Sequence, residues 1–145
     1  MTDTILASGD VRLAARAASR DDAIREAGAI LVEAGAVRPD YVDSMLEREG
    51  SVSTYMGNFL AIPHGTNESK DAIQRSALSF IRYDEPVDWS GEEVRFVVGI
   101  AGIGNEHLDI LAKIATIFSD DDEVAKLLAA GSADELSALL SEVNE

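Results

Sequence analysis

The chain has 145 residues, 12 basic against 27 acidic for a net charge of −15, and no cysteine. That length suits a single domain, residues 1–145, with a core of its own, and the missing thiols exclude disulfides and cysteine-rich zinc sites. The acidic balance argues against nucleic acid as a partner, because phosphate binding wants the opposite sign.

The opening MTDTILASGDVRLAAR is interrupted by Asp3 and Asp10 and lacks the apolar run of a signal peptide. No segment approaches the ~18 uninterrupted apolar residues of a membrane span, and a cytoplasmic location is expected. Asp21 and Asp22 open a helix whose Ile24, Ala27, Gly28 and Leu31 follow helical spacing, and Gly35 stops it. A second helix takes Pro39 in its first turn, points Val42, Met45 and Leu46 inward and ends at Gly50. A loop over 51–58 and a short extended piece over 59–62 follow, then a polar stretch, 66–75, with one helical turn. Residues 77–81 and 94–101 read as buried strands, separated by the acidic, hairpin-like DEPVDWSGEE, where Trp89 serves packing or loop structure. After a turn at 102–105, residues 107–118 form a helix with apolar residues almost all round it (Leu108, Ile110, Leu111, Ile114, Ile117), which predicts heavy burial. Two more helices finish the chain, the last opened by Ser132 and Glu135 at capping-box spacing. Helices, then strands, then helices give a layered α/β (α+β) domain on a mixed sheet. Eight acids and one lysine lie between Asp120 and Glu145, either as an ordinary solvated surface or to steer a basic protein partner.

Three residues could carry chemistry. In AIPHG, 61–65, Pro63 fixes its own φ and pushes Ile62 extended, while Gly65 leaves room beside the imidazole of His64. This framing suits a nucleophilic histidine, and equally a histidine in an ordinary turn. His107 follows GIGNE and precedes an apolar helix; with Asn105 as N-cap it falls in the first turn, an anion site by its free N–H groups, or else a plain capping histidine. Arg48, in LEREG, either clamps a phosphoryl group with its planar fork or sits ordinarily near a helix C-terminus. AGIGNE lacks the third glycine of a dinucleotide fingerprint, and there is neither a nucleophile elbow nor a P-loop. A metal would need His64, His107 and a carboxylate such as Glu106 or Glu68, and the histidines share no i, i+4 face, so no metal is expected.

EREGSVSTYMGNFLAIPHGT (47–66) and VRFVVGIAGIGNEHLDILAKI (94–114) together strongly resemble the enzyme IIA components of the bacterial phosphoenolpyruvate-dependent sugar phosphotransferase system, mannitol/fructose family, and most of all its mannitol-type branch. The likeness extends from DDAIREAGAILVEAGAV (21–37) to the acidic C-terminal helices. It implies a three-layer α/β/α sandwich around a mixed sheet and a phosphoryl carrier without cofactor or metal. By the resemblance, His64 accepts a phosphoryl group from the carrier protein HPr, His107 hydrogen-bonds that group, and Arg48 falls at the family's active-site arginine. The group then passes to a cysteine of a IIB component and to a sugar, mannitol by the likeness, imported by the membrane IIC component. The chain carries no IIB or IIC segment, so a free-standing subunit touching the membrane only through IIC is expected. Asn58 stands where relatives often carry an acid, which there could hold the imidazole in one tautomer; Asn58 can hydrogen-bond only without charge. Two alternatives accompany the carrier: a regulatory, nitrogen-type enzyme IIA that signals by its phosphorylation state, and a binding module with a degenerate site.

Overall fold

A computed structural model describes Leu6 and residues 10–66, 71–104 and 106–140. These form β1 (Val11–Ala14), α1 (Arg20–Glu33), α2 (Asp40–Ser51), β2 (Tyr55–Gly57), β3 (Leu60–Ala61), β4 (Ala77–Trp89), β5 (Glu92–Ala101), α3 (Glu106–Phe118), α4 (Asp121–Ala129) and α5 (Ala133–Leu139). The two long central strands set the layers. Successive side chains of a strand face opposite ways, so Phe96, Val98 and Ile100 join one hydrophobic cluster while Val97 and Ala101 join the other. Leu78 and Phe80 of β4 fall on the first face, Ala77, Ile81 and Tyr83 on the second. Helices α3, α4 and α5 cover the first face through Ile110, Ile114, Phe118, Val124, Leu127 and Leu136. Helices α1 and α2 cover the second through Ile24, Ala27, Leu31, Tyr41 and Met45. The result is an α/β/α sandwich on a five-stranded sheet of order β1-β4-β5-β3-β2. The sheet is mixed: β1 runs parallel to β4, β3 parallel to β5, and the β4–β5 and β2–β3 pairs are antiparallel.

Local chemistry explains the helix boundaries. Ser19 caps α1 by accepting the Asp22 N–H at 3.1 Å. The Ser132 hydroxyl accepts the Glu135 N–H at 3.1 Å, and the Glu135 carboxylate reaches back to the N–H of Gly131, one residue before the cap, at 3.3 Å. The last carbonyls of α4 are satisfied from the sheet: buried Arg82 donates to the carbonyls of Leu128 and Ala130 at 2.8 and 2.5 Å.

Several expected elements differ from the observed ones. The stretch DEPVDWSGEE is mostly strand, and only Ser90 and Gly91 turn. Its alternation, with Val87 and Trp89 buried and Asp84, Glu85 and Asp88 outside, is masked by the acids, and a register shift between Arg82 and Val87 accommodates Pro86. The expected loop over 51–58 contains β2, and the four residues of β1 gave too short a pattern to read. Helix α2 buries Tyr41, Ser44, Met45 and Glu49, so its inward face is turned relative to Val42 and Leu46, which are half-buried. Helix α3 is buried on one face only, and Leu108 stands 66% exposed, because the helix packs on the sheet and not inside a bundle. Of the helical turn expected in 66–75, a 3₁₀ turn at residues 71–72 is seen; residues 67–70 lie outside the described residues.

Candidate functional site

The parallel pairing of β3 with β5, Leu60 opposite Phe96 and Ala61 opposite Val97, opens both carboxyl ends on one edge of the sheet. That edge is where layered α/β folds build sites. Pairing continues past β3: the Pro63 carbonyl accepts the Ile100 N–H at 3.0 Å, and His64 bridges to Ile100. His64 therefore leaves the sheet beside the end of β5. There Gly102 turns the chain into α3, with His107 in its first turn. A Cβ on Gly102 would lie 2.6 Å from the Cα of His107, so only glycine lets the helix start fold back over the strand end. The two imidazoles meet edge to face, ring centroids 5.2 Å apart and planes at 61°.

The protonation pattern of His64 follows from its partner. Its Nδ1 lies 2.8 Å from the Ile62 carbonyl. A carbonyl can only accept, so Nδ1 carries the hydrogen and Nε2 of the neutral ring keeps its lone pair. Burial pushes the pKa of His64 below the ordinary histidine value; the bond to Ile62 opposes this, the Arg48 charge adds to it, and Glu49 acts weakly the other way. A half-buried ring, neutral at pH 7 with one nitrogen bound and the other unprotonated, has the form of a nucleophile. The first turn of α3, where backbone N–H groups point outward, favours an anion beside it. Arg48, in the last turn of α2, donates from Nη1 to the Val52 carbonyl at 2.7 Å, and its charge reaches His64. Sequence expectation thus named three residues that converge on one edge, although Asn105, the expected N-cap of α3, lies outside the described residues.

Asn58 plays no part in orienting His64. It sits in the β2–β3 turn, at the far end of β3, with φ of +49°, and its amide donates to the Phe118 carbonyl at 2.6 Å. The Ile62 carbonyl fixes the tautomer instead. Reasoning from sequence missed Tyr41. Its buried hydroxyl donates to the Ile100 carbonyl at 2.8 Å and accepts the Gly65 N–H at 2.9 Å, tying α2, the end of β5 and the AIPHG segment through one oxygen. Burial raises the Tyr41 pKa, which keeps that hydroxyl a donor. Spacing offered one signal: Tyr41, Met45 and Glu49 recur every fourth residue. Ser76 steadies the other segment, accepting the Ile103 N–H at 2.9 Å. Among the described residues, no three of His, Asp and Glu are grouped so as to hold a metal ion, and no helix is long and apolar enough to cross a membrane.

Known proteins share this fold and much of this sequence. A family model described as phosphoenolpyruvate-dependent sugar phosphotransferase system, EIIA 2, matches residues 4–143. The chain is 54% identical over 145 residues, all of both chains, to the mannitol-specific phosphotransferase enzyme IIA component of Halalkalibacterium halodurans. The fold is similar to the crystal structure of IIA mannitol from Escherichia coli, with a TM-score of 0.82 and 36% identity over 91% of this chain and 96% of that one. It is equally similar to a chain in the complex of mannitol enzyme IIA with phosphorylated mannitol enzyme IIB from Escherichia coli, with a TM-score of 0.83 and 36% identity over 92% and 95%. The chain belongs to the EIIA 2 family of the phosphoenolpyruvate-dependent sugar phosphotransferase system and is a phosphotransferase component of that system.

Proposed function

We propose that the chain carries phosphoryl groups for mannitol uptake, taking them from phosphorylated HPr on Nε2 of His64 and passing them to a cysteine of a mannitol IIB component. The observation that carries this reading is the bond from His64 Nδ1 to the Ile62 carbonyl, which leaves Nε2 as the nucleophilic atom. The lone pair of Nε2 attacks phosphorus, the N–P bond of the HPr phosphohistidine breaks, and its electron pair stays on the HPr imidazole. No proton needs to leave His64, because Nδ1 already holds the only one on the ring. The second transfer repeats the step, with a IIB thiolate attacking and the electron pair returning to Nε2. Charge spreads over three equatorial oxygens in such a transfer, so catalysis consists of positioning and electrostatic stabilisation. His107 and the first turn of α3 meet that charge from one side, and Arg48 adds a positive field. Neither step calls for a metal or organic cofactor.

Protein partners fit the surface. The exposed large apolar residues Val52, Met56, Ile103 and Leu108 lie on the segments that follow Arg48, precede β3 and flank His107. Apolar side chains around a polar centre suit docking of another protein. The net charge of −15 suits a basic donor surface and does not suit nucleic acid. In this reading the chain acts as one cytoplasmic domain and meets the membrane only through the IIC permease. The test is reconstitution with phosphoenolpyruvate, enzyme I and HPr, followed by purified mannitol IIB. One acid-labile phosphoryl group should appear and then move to IIB. Acceptance without onward transfer would favour a regulatory role, and no acceptance would refute the carrier.

A further inference from the structure

We propose that Glu49 is a positioning residue that fixes the tautomer and aim of His64 through a chain of hydrogen bonds; this rests on His64 being the phosphoryl acceptor. Glu49 is 3% exposed at the end of α2, and the transfer described above makes no use of it. A carboxylate that deep is costly unless its oxygens are occupied. They are: Oε1 accepts the Thr54 hydroxyl at 2.5 Å, and Oε2 accepts both the Thr54 N–H at 2.9 Å and the Nε1–H of fully buried Trp89 at 3.0 Å.

The chain continues to the site. Clamped at its N–H and hydroxyl, Thr54 presents its carbonyl to the Ile62 N–H at 3.1 Å. Ile62 in turn presents its carbonyl to His64 Nδ1 at 2.8 Å. Thr54 stands one residue before β2, opposite Ile62 in the register of the Tyr55–Ala61 pair, so its carbonyl makes the outermost bond of that short ladder and the carboxylate clamps it where the ladder ends. Successive links pass through different peptide groups, so what travels is position and not conjugated charge. Position matters because positive charge grows on the ring as the N–P bond forms at Nε2. A carbonyl already held against Nδ1–H meets that charge without reorganising.

Single-turnover phosphorylation by phospho-HPr, together with ring ¹⁵N spectra of His64 at neutral pH, tests this on the whole chain. Partners that orient a metal-binding imidazole are typically worth about 10- to 100-fold in activity, and an effect of that order is expected for this ring. Glu49→Ala should lose that much rate at saturating HPr with little change in the half-saturating concentration, and its ring signals should move away from the pure Nδ1–H form. Glu49→Gln can accept at its amide oxygen from Thr54 N–H and Trp89 and donate its NH₂ to the Thr54 hydroxyl, so it should restore most of both. A folded Glu49→Ala with normal rate and tautomer would overturn the proposal, as would Glu49→Gln being equally impaired. Should Glu49→Ala not fold, Thr54→Val decides, since it loses only the hydroxyl link: a smaller shift of both readouts in the same direction supports the proposal, and unaltered behaviour overturns it. An unaltered protein that takes no phosphate from HPr would instead sink the carrier reading itself.

Discussion

The two ends of β5 are built differently. At its start, Ser90 and Gly91 close a two-residue turn, both with positive φ (+57° and +95°), and Asp88 accepts the Gly91 N–H at 2.8 Å. The turn is closed by its own residues, as a hairpin turn requires; from outside it, Arg20 adds one bond to the Ser90 hydroxyl at 3.1 Å, and Trp89 just before it donates to Glu49. At its finish, Ile100 takes the Tyr41 hydroxyl on its carbonyl and gives its N–H to Pro63, while Ser76 holds Ile103 and His107 folds back over Gly102. Those ties come from α2, the segment that follows β3, the approach to β4, and α3. A turn closed mainly by its own residues can change with little consequence at the far end of the strand. An end assembled from three distant segments and the helix that follows it holds side chains at fixed separations, and His64 and His107 meet there.

Substitutions at the two ends should separate accordingly. The largest effect is expected from His107→Ala, which on the proposed reading removes a donor to the transferring group while leaving the buried face of α3 intact. Loss of one such donor typically costs about 100- to 1,000-fold, so stopped-flow transfer to IIB should fall by that much in a normally folded protein. His107→Gln, whose amide still donates, should fall less. Tyr41→Phe should come next: it strips the Ile100 carbonyl and the Gly65 N–H of a buried partner, for about 1–3 kcal/mol of stability by denaturant unfolding and a measurable slowing of transfer. Gly91→Ala at the other end forces a side chain into the left-handed region, for about 1–2 kcal/mol. Its transfer rates should match the unaltered protein, and a slowed Gly91→Ala protein would erase the contrast between the ends.

The smallest effect concerns pH. The fold lowers the His64 pKa, so the unfolded chain takes up the proton first as pH falls below about 6.5. Stability carried by the neutral ring is therefore complete above that pH and declines as pH drops toward the folded pKa. Thermal midpoints of the unaltered protein and His64→Gln, compared stepwise from pH 7.5 downward, should show the unaltered protein losing ground. A gap that moves the opposite way would contradict the buried, neutral imidazole.

The same contrast explains what could be read in the sequence. Pro63, the Gly102–Gly104 turn and the capping serine at 132 act on neighbours, so the placement of His64, His107 and α5 followed from local patterns. The resemblance of 47–66 and 94–114 to enzyme IIA then grouped the two histidines with Arg48. Tyr41 and Glu49 act across 59 and 40 positions, on Ile100 and Trp89, and no local pattern reports such a contact. Pairing also extended what local appearance showed: the acidic stretch read as a hairpin-like separator of 77–81 and 94–101, and it is a hairpin whose arms continue those strands, with Val87 opposite Val94. The sequence could not show whether Asn58 orients His64 for a related reason: three residues of chain suffice to carry it to the opposite end of β3 from the Ile62 carbonyl that bonds the ring.

The most direct test of the account is to locate the phosphoryl group on the protein after exposure to phospho-HPr. Phosphorus NMR of the intact protein, with mass mapping of the unaltered chain and of His64→Ala, distinguishes Nδ1 from Nε2 and His64 from His107. The expected result is one phosphoryl group on Nε2 of His64, absent from His64→Ala. A group on Nδ1, a stable group on His107, or phosphorylation of His64→Ala would contradict it.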